Sequence, residues 1–295
     1  MNENRPKTRI LLDSGDPGET RRVKNELGFL DGQTTNPTYV SKNPEVQRMI
    51  ASGRKLTPEE QQKEYRRIVR EISPLVGSGG VSIEVFADLN TTAEDMLRQG
   101  LEMFSWIPNG YIKYPCTREG LRAAQMSVTR GLRVNMTLCF SQEQAAAVYS
   151  ATRGSKETCY VSPFVGRLDD IGQDGISLVR NIVKMYAAGD GHVEVLAASL
   201  RSQEHLLASF SLRVGLITAP IHVLEQWAAM GCSSPDEQFQ YKAIDQKGTT
   251  LTPIPYRQID LSAEFDKYNV RHDLTDKGIR KFVQDYKSTI VSPAA

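Results

Sequence analysis

Lys113 is the residue whose surroundings first suggest chemistry. It stands in Tyr111-Ile112-Lys113-Tyr114-Pro115, an otherwise apolar run with strand character. Taking an amine out of water disfavours its charged form, and a neutral amine can attack a carbonyl carbon to form a Schiff base. Asp13 and Glu84 are the carboxylates that would supply the accompanying acid–base steps. Two plainer readings compete: a strand lysine more commonly snorkels outward, and a Glu near a Lys can be a simple buried ion pair. His192, His205, His222 and His272 are scattered, and Cys116, Cys139, Cys159 and Cys232 are too widely spaced for a zinc knuckle or redox pair. The expectation is amine chemistry with no metal and no cofactor.

Further polar residues fall at the ends of β-like runs. Asp13 ends one run, Thr34-Thr35-Asn36 another, and a third holds Ser82 and Glu84. Asn135 and Thr137, Ser162 and Ser199 occupy corresponding places, with Arg167 and Arg201 just beyond. A strand-end Asn or Ser is more often a helix cap. Side chains alternate along a strand, however, so Ser82 and Glu84 share a face, as do Asn135 and Thr137. With Lys113, seven strands give the same signal, more than caps explain.

The elements that must position these groups can be traced along the chain. Eight β-like runs are visible: 9–13, 32–35, 81–86, 110–114, 133–138, 158–163, 192–198 and 214–218. Several are continuously apolar, as in strands buried on both faces of a parallel sheet. Helical patterns lie between them. One opens at Thr91-Thr92-Ala93-Glu94 and brings Met96, Leu97, Leu101 and Phe104 near helical spacing. Others open at Thr117 and at Ser141, where Ser-x-x-Gln reads as a capping box, and continue in 176–186 and 201–210. The alternation predicts an α/β fold, a single (β/α)8 TIM barrel spanning 1–295. Extra helices are expected between strands two and three, the second over 57–72. The Gly77-Ser78-Gly79-Gly80 cluster reads as a flexible connection. The tail over 233–295 reads as an extension packing on the barrel, ending in a helix from Leu274 with Ile279, Phe282, Val283 and Tyr286 on one face.

Composition narrows the class. The 295 residues are 40% hydrophobic and 24% charged, the balance of a globular domain with a large core. Formal charge is +1, so the chain as a whole lacks the electrostatic footprint of a nucleic-acid or anionic-membrane binder. Neither an apolar leader nor a run approaching the ~18 residues of a membrane span is visible. A reduced, cytoplasmic protein is expected.

Five motifs together resemble the transaldolases, class I Schiff-base enzymes. They are Asp31-Gly32-Gln33-Thr34-Thr35-Asn36-Pro37, Ile112-Lys113-Tyr114-Pro115-Cys116-Thr117-Arg118-Glu119-Gly120 and the run Val134–Ala145 containing Asn135-Met136-Thr137. Val161-Ser162-Pro163-Phe164-Val165-Gly166-Arg167-Leu168-Asp169-Asp170 and Ala197-Ala198-Ser199-Leu200-Arg201 complete the set. They run in family order from about residue 9 to 230. The resemblance implies that Lys113 forms a Schiff base with a ketose phosphate and that Asp13 is the acid–base group. It implies that Glu84 and Thr137 hold the catalytic water. Thr34, Asn36, Asn135 and Ser162 would hydrogen-bond a dihydroxyacetone unit, while Arg167, Arg201 and Ser199 would bind phosphate. Its partners would be sugar phosphates, in the pentose phosphate pathway, with a homo-oligomer compatible with the family.

Some positions refine or depart from that pattern. Asp16 is a second acid beside Asp13, and alignment to the family's Asp-Thr or Asp-Ser favours Asp13. Ile83-Glu84 replaces the usual Ser/Thr-Glu, and Leu200 stands where an aromatic is common. Related fructose-6-phosphate aldolases, which release dihydroxyacetone, typically carry Tyr in place of Phe164 and Gln in place of Glu84. Phe164 with Glu84 is the transferase pattern. An aldolase on the same lysine and a silent sugar-phosphate-binding barrel are the alternatives.

Overall fold

A computed structural model describes residues 6–236 and 238–291. The two ends of the expected 1–295 domain and Glu237 of its tail lie outside the described residues. Eight parallel strands close into a barrel. They are β1 (Arg9–Asp13), β2 (Gly32–Thr34), β3 (Gly80–Glu84), β4 (Gly110–Pro115), β5 (Val134–Cys139), β6 (Cys159–Pro163), β8 (Val193–Ala197) and β9 (Leu216–Ala219). The two-residue strands β7 (Gln173–Asp174) and β10 (Thr252–Pro253) pair with each other outside the barrel. Every residue of β2 to β6 is buried, which matches continuous apolar runs covered on both faces.

The outer layer is helical: α1 (Pro17–Leu27), α2 (Pro37–Lys42), α3 (Pro44–Ala51), α4 (Pro58–Ile72), α5 (Ala93–Phe104) and α6 (Arg118–Val128). It continues with α7 (Gln142–Ala151), α8 (Val165–Asp169), α9 (Gly175–Tyr186), α10 (Gln203–Ser211), α11 (Ile221–Ala229) and α12 (Asp273–Thr289). The first four helices share one starting signal, a side-chain cap followed by proline. Asp16, Asn36, Asn43 and Thr57 each accept a backbone N–H of the first turn, and Pro17, Pro37, Pro44 and Pro58 fill the first position. Between β2 and β3, α3 and α4 are the expected helix pair, and α2 precedes them. Among the described residues, no helix is long and apolar enough to cross a membrane.

Two expectations about local structure need correction. Ser141 caps α7, but Gln144 does not close a capping box. Its carbonyl takes the Phe140 N–H at 2.7 Å, and its amide reaches Cys116 O, Val270 O and Thr275 Oγ1. It serves as a tie between β4 and the start of α12. Leu101 is 43% exposed, so α5 packs through Met96, Leu97 and Met103.

The Gly77–Gly80 cluster is an ordered seam between the β1–β2 connection and β3. Gly77 N donates to Leu30 O at 3.0 Å and Gly79 N to Asp31 O at 2.8 Å. Gly80 has φ +66°, and a Cβ there would stand 2.4 Å from the Asn109 carbonyl. Gly79 and Gly80 are required by close backbone approach rather than by mobility.

α12 lies across the C-terminal ends of the strands. Thr275 Oγ1 donates to Leu138 O at 3.0 Å, Phe86 and Tyr286 rings meet at 4.6 Å, and Asp285 accepts from Thr38 of α2. Gly80→Ala should cost about 2–5 kcal/mol, combining left-handed strain with a clash against a backbone oxygen that cannot yield. Gly28→Ala, at φ +74° with nothing within 4 Å, should cost only about 1 kcal/mol. Urea denaturation midpoints of the two variants check this, and equal losses would contradict it.

Candidate active site

Parallel pairing fixes which side chains stand side by side. Thr34 pairs with Ser82, Glu84 with Lys113, and Lys113 with Asn135. Matched register and alternation turn these into one belt around the barrel interior. Lys113 is 3% exposed and points inward. Its Nζ donates to Thr35 O at 3.0 Å and lies 3.0 Å from Glu84 Oε2. Tyr65 of α4 locks this arrangement from outside. Its hydroxyl accepts the Glu84 N–H at 2.9 Å and bonds Thr35 Oγ1 at 2.6 Å.

Asp13 and Asp16 are separated by their tasks. Asp16 Oδ1 caps α1 through the Gly18 N–H at 2.8 Å, on the outside. Asp13 faces the mouth, where Thr34 Oγ1 donates to its Oδ1 at 2.7 Å. Thr34 has one hydroxyl hydrogen, so its 2.7 Å bond to Thr218 Oγ1 must run the other way, Thr218 donating. The two threonines form a short relay ending on the carboxylate. Burial pushes the Asp13 carboxyl above its ordinary range, opposed by the Lys113 charge and the bonds from Thr34 and Tyr39. Burial raises Glu84 in the same way, again opposed by Lys113.

A cavity of about 220 Å³ opens above these groups at the C-terminal ends of the strands. All the site residues expected from sequence line it except Glu84 and Asn135, which stand one layer behind. Glu84 still reaches the lysine. Asn135 holds the floor, donating to Ser82 Oγ at 3.0 Å and accepting from Ser162 Oγ at 2.7 Å. Thr137 Oγ1 is buried without a hydrogen-bond partner among the described residues, an uncompensated polar atom on a residue that lines the same cavity as the lysine. Asn36 lines the cavity while its Oδ1 caps α2 through the Tyr39 N–H, so it serves both readings.

The two arginines are unequal. Arg201 is bound bidentately by Asp170, so its charge is already matched. Arg167 makes no ion pair with a carboxylate among the described residues. Its guanidinium lies over the Phe164 ring at 5.2 Å and the Phe282 ring at 5.4 Å, and burial works against its charge. A Cβ on Gly278 of α12 would fall 2.5 Å from its Nη1, so the helix covers it closely. Arg167 is therefore the strongest unmatched attractor for an anion at the mouth.

Tyr39, Lys42, Thr218 and Phe282 also line the cavity and were not singled out from sequence. Thr218 had the same signal as its neighbours, a polar side chain at a strand end. Tyr39 and Lys42 follow Asn36 by three and six residues on one short helix, a spacing that faces them alike. The Asp13 charge, ahead of burial, pushes the Tyr39 phenol far up, keeping it a donor. Phe282 was visible only as part of an apolar helix face. Leu138, near the end of β5, has φ 58°, and Ser199, which lines the cavity, has φ 57°. Such residues cost about 1–3 kcal/mol each and persist where the surroundings over-determine them.

The raised Asp13 carboxyl has a consequence for stability. The folded state holds this proton more tightly than the unfolded chain, so its contribution falls as pH rises from about 4 through the folded value. Asp13→Asn removes that dependence. Its stability relative to the parent should grow between pH 4 and pH 8, by about 1.4 kcal/mol for each unit of elevation. Urea unfolding at both pH values measures the difference; a constant difference would contradict the assignment.

The chain can now be set beside known proteins. A sequence profile of the Transaldolase/Fructose-6-phosphate aldolase family matches residues 10–292. A probable transaldolase of Parabacteroides distasonis is 40% identical over 217 residues, covering 74% of this chain and 88% of its own. Those of Dehalococcoides mccartyi and Syntrophomonas wolfei are each 33% identical, covering 95% of this chain and 98% of theirs. The barrel, its buried lysine and these matches agree: the chain belongs to the transaldolase/fructose-6-phosphate aldolase family.

Proposed function

We propose that the chain is a transaldolase, moving a dihydroxyacetone unit from a ketose phosphate to an aldose phosphate through a Schiff base on Lys113. Sedoheptulose 7-phosphate or fructose 6-phosphate would be the donor, and glyceraldehyde 3-phosphate or erythrose 4-phosphate the acceptor. The observation that carries this reading is Lys113 Nζ, 3.0 Å from a buried carboxylate at the floor of a sugar-sized cavity. The same reading sets the enzyme in the cytoplasm and the pentose phosphate pathway.

Lys113 Nζ attacks the ketose C2 carbonyl, and the carbinolamine loses water to give the protonated imine. Asp13 takes the proton of the C4 hydroxyl. The C3–C4 bond breaks, its electron pair moves towards the imine nitrogen, and the aldose phosphate leaves. The remaining enamine attacks the acceptor aldehyde through C3, and Asp13 returns its proton to the new hydroxyl. Water then hydrolyses the product imine. A carboxyl whose proton affinity is raised by burial suits a group that must take a proton and hold it through mid-cycle.

The remaining residues are assigned by position. Glu84 and Thr137, whose Oγ1 is buried and unpartnered, would hold the water that enters and leaves at the imine. Asn36, Asn135, Thr34 and Ser162 would fix the dihydroxyacetone hydroxyls. Arg167, with Arg201 and Ser199, would bind the phosphate. Phe164 brings no hydroxyl to the enamine, which favours transfer over protonation and release.

Borohydride added during incubation with fructose 6-phosphate should leave a reduced three-carbon adduct on Lys113, located by peptide mass. Lys113→Met should lower turnover at least ~10³-fold with the fold retained. An adduct on another lysine, or turnover surviving in that variant, would overturn the assignment.

A further inference from the structure

Asp169 and Asp170 follow Arg167 at the end of α8, Asp170 reaching Arg201 in the turn after β8 and Asp169 reaching His205 in the helix that follows it. Asp170 takes the guanidinium itself. Asp169 works less directly. Its Oδ2 lies 3.0 Å from His205 Nε2, each side chain only 8% exposed, and its Oδ1 accepts the Gly175 N–H at 3.1 Å. On the opposite edge of the ring, His205 Nδ1 accepts the backbone N–H of Arg201 at 3.3 Å.

A ring nitrogen that accepts a hydrogen bond carries no proton, so the imidazole hydrogen sits on Nε2, facing Asp169. The carboxylate thereby fixes the tautomer and plane of the ring, and the ring fixes the backbone of Arg201. Gly166 completes the seam. Its N–H donates to Ser199 O at 3.0 Å, and a Cβ there would come within 2.4 Å of Arg201 Nε. Ser199 holds a left-handed conformation, φ 57°, that a serine does not favour unaided.

We propose that Asp169 and His205 are positioning residues. They form a brace that holds the Ser199–Arg201 turn against α8, so that Arg167 and Arg201 grip one phosphate group from two sides. The proposal rests on the reading of this cavity as a sugar-phosphate site. Arg167 and Arg201 come from different strand-end segments with no local chain connection between them. Because Asp170 already engages the Arg201 guanidinium, small movements of its backbone decide which donors remain aimed at an anion. Removing the acceptor of the Arg201 N–H lets the strained turn relax, while Lys113, Asp13 and Glu84 stay where their own strands hold them.

The test uses inorganic phosphate as the probe, titrated by calorimetry into the parent protein and three variants. His205→Ala removes the acceptor. Asp169→Asn keeps the volume but offers an amide donor that favours the opposite tautomer, so it remains informative if His205→Ala does not fold. His205→Asn returns a carbonyl oxygen near the place of Nδ1. Phosphate affinity should weaken about 5–10-fold in the first two and recover to within about 2-fold in the third. In steady state, KM for glyceraldehyde 3-phosphate should rise by the same factor with kcat little changed, and kcat/KM for unphosphorylated glyceraldehyde should hold. Unchanged phosphate affinity in the folded variants, no phosphate binding by the parent, or equal losses with both aldehydes would overturn the brace. Weakened phosphate binding in a protein that shows no transfer would leave the brace standing and remove the transaldolase reading instead.

Discussion

Lys113, Glu84 and Asp13 share the floor of one barrel, and the arrangement of the rest of the site follows from keeping these three ionisable groups together away from water. Taking an isolated charge out of water costs several kcal/mol, and mutual attraction offsets this only when geometry is good and the remaining polar atoms are satisfied. The surroundings meet that condition in part, with Thr137 Oγ1 left without a partner among the described residues. The Thr35 carbonyl receives the lysine, Tyr65 pins both Thr35 and the Glu84 backbone, and the Thr218–Thr34 relay ends on Asp13. Both carboxyls are nevertheless raised by burial, so pairing compensates only part of the desolvation. A cluster left partly uncompensated is a poor way to stabilise a fold and a good way to hold a mobile proton.

Strand geometry brings this about with no special loop. In a closed parallel barrel, matched register sets one inward side chain beside the next, and β3, β4 and β5 deliver Glu84, Lys113 and Asn135 in a row. The segments after β6 and β8 supply the two arginines, and α2 and α12 form the walls. Rigidity in the strands fixes the reacting groups, while the anion end is built on short turns that need ties of their own. The left-handed Leu138 and Ser199 and the close approaches of Gly166 and Gly278 all fall in that second region.

Much of this was legible in the sequence because it depends on local chemistry. Eight β-like runs, seven of them carrying a polar residue in or just after the strand, point both to a parallel barrel and to an end at which side chains converge. Parity alone placed Ser82 with Glu84 on one face. What was not legible depends on distant partners. Asp13 and Asp16 compete as acids in the sequence, where alignment favours Asp13; the fold separates them, since Asp16 caps a proline-initiated helix while Asp13 ends a barrel strand. Gly77–Gly80 looked flexible because a glycine run has no side chains to report the backbones packed against it. Gln144 looked like half of a capping box because the partners of its amide group, Cys116 just after β4, Val270 and Thr275, are 28 to 131 residues away. Arg201 gave no sign that Asp170 would match its charge, and Phe282 reaches the mouth only because α12 folds back over the barrel.

The question at the centre is whether the three-carbon unit held on Lys113 is passed on or set free. Glyceraldehyde 3-phosphate production from fructose 6-phosphate, followed with and without erythrose 4-phosphate while free dihydroxyacetone is assayed in parallel, answers it most directly. Turnover that requires the acceptor, with little dihydroxyacetone released, is the expected result. Turnover independent of acceptor, with dihydroxyacetone appearing in equal amount, would contradict it and make the same lysine the centre of an aldolase.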